Sequence, residues 1–175
     1  MKELSISEVI DQISQGVIIL DVRLPNIFEK RFIPGSINIG KTGMFAPWVG
    51  TIISIDVKII LVCNDGEEEE VISRLARIGY ENIIGYVNDI EDWEKESHRL
   101  DTISSISASE IEQYMSRSTI LDVRNKAELQ LGYVKESINI PLNDLQDHLD
   151  KIKISDNLLI YCAGGYRSMI ASSIL

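Results

Sequence analysis

The chain has 175 residues, 45 % of them hydrophobic and 25 % charged, enough for one medium or two small globular domains and too well mixed for a disordered segment. A formal net charge of −10 argues against a nucleic-acid surface, because no basic patch exists to displace counterions from phosphates. Two cysteines, Cys63 and Cys162, with only His98 and His148 beside them, are too few for a disulfide framework or a structural zinc site.

Free thiols, no metal and no cofactor are therefore expected. The start MKELSISEVIDQI lacks a basic leader followed by an apolar block, and no run nears the roughly 18 apolar residues that span a bilayer. The expectation is a cytoplasmic protein with neither membrane nor nucleic acid among its partners.

The first element opens at Ser5, where Ser-x-x-Glu with Glu8 precedes Val9, Ile10 and Ile13 at helical spacing. This is a capping box: the serine oxygen accepts from an orphan amide and the glutamate reaches back. A β-branched run from Val17 to Asp21 ends in LDVR and predicts a strand, followed by a short helical piece and a strand at SINI. The stretch GKTGMFAPWVGTII, Gly40 to Ile53, gathers Phe45, Pro47 and Trp48, which suit either core packing or a contact surface. IILVC then ends on Cys63. A helix from Glu67 to Ile78 comes next, with Val71, Ile72, Leu75 and Ile78 on one face and Gly79 as its stop. A strand from Asn82 to Val87 and the segment around Trp93 complete the set, and the polar EKESHRLDTISSI reads as a join.

The same elements then recur. ILDVRLPNIFEKRFIPGSINI stands beside ILDVRNKAELQLGYVKESINI, with Asp21 against Asp122 and Asn38 against Asn139. Ser107 and Glu110 repeat the capping box ahead of Ile111, Tyr114 and Met115, Thr119 to Asp122 repeats the strand, and LLIYC ends on Cys162 as IILVC ends on Cys63. PLNDLQDHL places His148 in an amphipathic helix. Strands of continuous apolar residues separated by helices predict an α/β fold of two domains, each a parallel sheet flanked by helices on both faces. The expected boundaries are 1–98, a linker at 99–106, and 107–175, with the second domain truncated because the strand and helix after its cysteine helix are missing. A strand left with an open edge predicts a less stable second domain, or one that borrows a strand from another chain in a homodimer.

In parallel sheets ligands sit at the carboxyl ends of strands, where the next helix presents free amides and the positive end of its dipole. Cys162 ends such a strand, and CAGGYRS separates it from the helix. Gly164 and Gly165 would let the backbone curl around the sulfur without a Cβ clash, and inward amides would stabilise a thiolate. Arg167 would add positive charge and a fork of donors for an oxyanion. A cysteine serving only as a small core residue explains neither the glycines nor the arginine.

LDVR, SINI and CAGGYRS together resemble the rhodanese family of sulfurtransferases, and both copies fit that pattern. The resemblance implies that a cysteine takes sulfane sulfur from thiosulfate or a low-molecular-weight persulfide, holds it as a persulfide, and gives it to cyanide or a thiol. By motif, Cys162 matches the nucleophile. Ala163, Gly164, Gly165, Tyr166, Arg167 and Ser168 match the substrate loop, and Asp122 and Arg124 match the supporting LDVR positions. Related cysteine phosphatases use C-x5-R around a tetrahedral phosphate, whereas Cys162 to Arg167 is C-x4-R, and the tighter loop suits sulfur. Neither His98 nor His148 is a convincing base, and a thiolate that is already charged needs none.

Cys63 falls at the nucleophile position of the first copy, but CNDGEEE puts Glu68 where Arg167 stands and Asp65 in place of a glycine. Carboxylates oppose ionisation of the thiol and repel anionic donors, so this site is expected to be degenerate, with a slow second sulfur carrier as the other reading. Glu67 to Glu70 read as a solvated, dipole-matched helix start. Asp21 with Arg23, and Asp122 with Arg124, are expected to brace the loops. PGSINIG and FAPWVG followed by a degenerate and then an active copy further resemble the carboxyl-terminal rhodanese pair of bacterial metallo-β-lactamase-fold fusion proteins. That implies an amino-terminal persulfide dioxygenase domain as partner and a role in sulfide or persulfide detoxification. The chain itself has no H-x-H-x-D-H run. A non-catalytic interaction or regulatory module is the alternative from another class.

Overall fold

Capping sets where the first helix begins: the Ser5 hydroxyl accepts from the Glu8 amide and the Glu8 carboxylate accepts from the Ser5 amide, so α1 (Ile6–Ser14) starts as expected. The computed structural model describes residues 1–96, 98–152 and 157–175, and the chain divides into two compact units between Ile103 and Ser104.

In the first unit α1 is followed by β1 (Ile18–Asp21), α2 (Pro25–Phe28), β2 (Ile37–Asn38), α3 (Phe45–Ile52), β3 (Ile59–Val62), α4 (Glu68–Ala76), β4 (Ile83–Val87) and α5 (Glu91–Lys95). The strands form one parallel sheet in the order β2-β1-β3-β4, with Leu20 opposite both Ile37 and Leu61. Beyond β4 the chain start adds one more parallel contact, the Leu4 amide donating to the Tyr86 carbonyl and the Tyr86 amide to that of Lys2. Gly85 permits this approach, because a Cβ there would lie 2.5 Å from Leu4 Cγ.

Alternation sends Ile19, Ile60 and Val62 into a core with Val9 of α1, Val87, Trp93 of α5 and Leu100. Leu20 and Leu61 point the other way, and Phe45, Val49, Val71 and Leu75 of α3 and α4 are also fully buried. The aromatic stretch therefore divides: Phe45 is core, Trp48 is half-buried and Pro47 is exposed. Gly79 follows α4 at φ +90, and its amide donates to the Ala76 carbonyl.

The segment expected as a linker, 99–106, is shared between the units. Asp101 and Phe32 exchange backbone hydrogen bonds of 2.9 and 3.0 Å, and Leu100 lies in the first core, so residues up to Ile103 belong with the first unit. One apolar anchor and a pair of ladder bonds outweigh the polar composition that suggested a join.

The second unit repeats the plan on a smaller scale: a 3-10 turn (Ala108–Glu110) under the Ser107 and Glu110 capping box, α6 (Glu112–Met115), β5 (Thr119–Asp122), a 3-10 helix (Lys126–Leu131), β6 (Ile138–Asn139), β7 (Leu158–Tyr161) and α7 (Tyr166–Ile174). Its three parallel strands run β6-β5-β7. The amphipathic helix expected around His148 is a pair of 3-10 turns, Leu142–Asp144 and Gln146–Lys151, broken where His148 takes φ −130. Leu142 and Leu145, three apart, are both buried and suit the tighter period. Both units are thus α/β, with parallel sheets flanked by helices. They differ at the cysteine strand: every residue of β3 is buried between β1 and β4, while every residue of β7 is half-buried, with only β5 beside it among the described residues.

Candidate active site

Cys162 comes directly after the last residue of β7, and the loop Ala163 to Gly165 turns the chain into α7. Gly165 caps that helix in the left-handed region at φ +86, where a side chain would be strained. The turn points amides at the sulfur: those of Gly165 and Ser168 donate to Cys162 Sγ at 3.2 and 3.4 Å, and Ser168 Oγ lies 3.6 Å away. Burial opposes ionisation of this half-buried thiol. The Ser168 hydroxyl, with the amides of Ser168, Gly164 and Gly165, outweighs it and leaves the pKa below the ordinary thiol value. Ala163, Gly164 and Gly165 are exposed, so the sulfur sits at the surface end of the sheet, and Tyr166 is half-buried at the start of α7.

Two expectations about this loop change. A Cβ on either Gly164 or Gly165 would meet nothing within 4 Å, so what calls for glycine here is the left-handed φ of Gly165 and not a close approach at either position. The fork of Arg167 is engaged within the protein: Nη1 and Nη2 donate to the two carboxylate oxygens of Glu128 at 2.6 and 2.8 Å, while its charge still acts on the Cys162 thiolate. Those hydrogen bonds hold the Glu128 carboxyl down at about 2. Glu128 was not singled out in the sequence, yet its signal is there. It aligns with Ile27, and Arg167 aligns with Glu68, so the two copies differ at both ends of the pair.

Beneath the loop, Arg124 Nε and Nη2 donate to Asp122 at 2.9 and 2.6 Å, and Nη2 also reaches the Gly132 carbonyl at 3.0 Å. Asn139 donates to the carbonyls of Asp122 and Arg124. Asp122 is fully buried, yet bonds from Arg124 and Tyr161 overcome desolvation and keep its pKa below the usual carboxylate value. The first unit has the same frame, with Arg23 donating to Asp21 and to the Arg31 carbonyl and Asn38 to the carbonyls of Asp21 and Arg23. In both units the arginine braces the segment after its strand, while the cysteine loop is bonded elsewhere.

Cys63 is 0 % exposed, and its thiol donates to Asn88 Oδ1 at 3.4 Å. Burial first, and then the carboxylates of Glu68, Glu67 and Asp21, push the thiol up to about 12. Asn88, a second residue the sequence did not flag, donates to Glu68 at 2.8 Å and to Asp65 at 3.4 Å and so closes the loop over the sulfur. Lys41 is engaged by Glu67 and Glu70. His98 tilts against the Trp93 ring, and His148 Nδ1 lies 2.8 Å from the Asp144 carbonyl, so neither imidazole is placed at a cysteine. Among the described residues no three His, Cys, Asp or Glu side chains gather to hold a metal ion.

Comparison with known proteins gives the same two-part division. The model of the rhodanese-like domain matches twice, at residues 5–96 and 107–175. An HTH-type transcriptional regulator of Mycobacterium tuberculosis is 34 % identical over 56 residues, covering 32 % of this chain and 25 % of the regulator's length. Among solved structures, the BH2092 protein of Bacillus halodurans superposes with a TM-score of 0.50 at 18 % identity, over 64 % of this chain and 89 % of its own. EanB, solved with a cysteine persulfide and ergothioneine, superposes with a TM-score of 0.51 at 16 % identity, over 82 % of this chain and 42 % of its own. At those identities the likeness is one of fold.

Proposed function

Because the chain belongs to the rhodanese-like domain family, we propose that its second unit is a sulfurtransferase in which Cys162 carries sulfane sulfur as a persulfide. The supporting observation is the sulfur itself: half-buried, held by the amides of Gly165 and Ser168, and with a thiol pKa brought below its ordinary value. The thiolate attacks the outer sulfur of thiosulfate or a low-molecular-weight persulfide, and the leaving sulfite or thiolate departs. The Cys162 persulfide then yields its outer sulfur to a thiol or cyanide. The same amides that hold the thiolate would hold the persulfide.

The first unit joins this reading as a non-catalytic partner, since a thiol pushed up to about 12 carries almost no thiolate at neutral pH. The free cysteines suit a reducing cytoplasm, and no helix among the described residues is long and apolar enough to cross a membrane. PGSINIG and FAPWVG extend the proposal to a metallo-β-lactamase-fold partner domain and a persulfide-detoxifying role. The half-buried strand β7 supports a homodimer in which a second chain covers it.

Incubation with thiosulfate or cysteine persulfide followed by intact mass measurement tests the activity. One added sulfur is expected in the parent and in Cys63→Ser and none in Cys162→Ser. A parent that gains no sulfur from either donor would leave the interaction-module reading in its place.

A further inference from the structure

The arginine of the cysteine loop and the arginine that follows β5 are both already paired. Arg167 is clamped by Glu128 through two bonds of 2.6 and 2.8 Å, and Arg124 by Asp122 through bonds of 2.9 and 2.6 Å. The rest of the loop, Ala163, Gly164, Gly165, Tyr166 and Ser168, carries no charge. What steadies the sulfur most is a set of dipoles, the Ser168 hydroxyl and the loop amides, with the charge of the Glu128-bound Arg167 acting on it besides, and the whole chain has a net charge of −10. Such a site can stabilise one negative charge on sulfur, but among the described residues no unpaired cation is bonded to the loop to draw in more.

We propose that the donor for this loop is a low-charge persulfide and that the thiosulfate dianion is a poor one, with Glu128 as the residue that sets this preference by neutralising Arg167. The inference rests on the sulfurtransferase reading above. With thiosulfate, the Cys162 thiolate bonds to the outer sulfur and the sulfur–sulfur bond breaks with its electron pair onto sulfite. One negative charge and two become a Cys162 persulfide anion and a sulfite dianion, so three negative charges share the transition state. With a persulfide R–S–SH, the thiolate bonds to the outer sulfur and the electron pair leaves with R–S⁻. The reacting donor is the protonated form of a persulfide that is mostly ionised at neutral pH. The proton stays on the transferred sulfur during the step, a single negative charge is present at the reacting atoms, and the Cys162 persulfide ionises afterwards. Neither step needs an oxidant or reductant. The difference between them is electrostatic, and bringing a dianion up to a thiolate without a counter-cation slows the encounter by at least about tenfold.

The test uses the full chain and follows the gain of one sulfur at Cys162 by mass over time, with thiosulfate or cysteine persulfide as donor. Cysteine persulfide is expected to load at least about tenfold faster at low salt. Thiosulfate loading is expected to speed up as salt is added, because like charges are being screened. Glu128→Gln, which leaves Arg167 as an unpaired cation, is expected to raise the thiosulfate rate relative to the persulfide rate by about tenfold. Equal rates for the two donors, a thiosulfate rate that falls with salt, or an unchanged ratio in a folded Glu128→Gln protein would each overturn the donor assignment while leaving the sulfurtransferase reading intact. The salt series needs no variant and stands if the substitution disturbs the loop. Loading by neither donor would overturn the sulfurtransferase reading and the donor assignment with it.

Discussion

β3 and β7 are one element in two copies: each pairs in parallel with the strand that ends on the Asp of Asp-Val-Arg, and each leads directly into a cysteine. Around β3 the sheet is closed on both sides and Asn88 covers the sulfur with help from Glu68 and Asp65. Around β7 one side is open among the described residues, and the loop turns its amides toward a half-buried sulfur. Strand and cysteine are common to both, so they do not make a site. The opposite pKa shifts of the two thiols come from the loop after the cysteine and from how deeply the sheet buries the sulfur.

The sharpest way to break this comparison is to measure the two thiols side by side. At pH 7 a thiol at about 12 is ionised in about one molecule in 10⁵, and one below 9.0 in more than about one in 10². Iodoacetamide should therefore alkylate Cys162 at least about 10³ times faster than Cys63, read by peptide mass. Alkylation of Cys162 should rise with pH and level off with a midpoint below 9.0, because the lowered pKa means that the thiolate is the form the fold favours. Cys63 should stay unmodified over the same range. Urea should erase the difference, since it is a property of the fold.

Much of this contrast was legible in residues. Both capping boxes, the strands ending in Asp21 and Asp122, and the left-handed Gly165 arise from local chemistry that needs no tertiary partner. Glu68 against Arg167 told the two loops apart by charge. The hidden features depend on residues distant in sequence. Glu128 meets Arg167 across the loop, Asn88 reaches Cys63 from the end of β4, and Leu100 docks into a core from a polar stretch. The break at His148 was hidden for another reason: Leu142, Leu145 and Leu149 fit an α-helical face nearly as well as 3-10 turns.

A second measurement concerns packing alone. Leu61 in β3 is fully buried, and Ile160 stands in the same register of β7 but is half-buried. Leu61→Ala should destabilise the first unit by about 2–5 kcal/mol, and Ile160→Ala should destabilise the second by roughly half as much, because less apolar surface is removed from water there. Hydrogen exchange at the amides of each strand reads the two units separately. Equal losses would mean that β7 is covered in solution, which would sharpen the case for a second chain on its open edge.

The smallest expected effect separates charge from burial at Cys63. Burial comes before Glu68, Glu67 and Asp21 among the causes that push this thiol up. Glu68→Gln removes one carboxylate and leaves the other two, the 0 % exposure and the neighbouring Asn88. The thiolate fraction should rise, with alkylation faster by less than about tenfold, which is under about one pKa unit. Making Glu68→Arg instead, together with Ile27→Glu to rebuild the second unit's clamp, should help little more, because a paired arginine brings no net charge and the sulfur remains enclosed. If Glu68→Gln alone brought Cys63 to the rate of Cys162, the charges of CNDGEEE would be what silences it, and the closed sheet around β3 would be incidental.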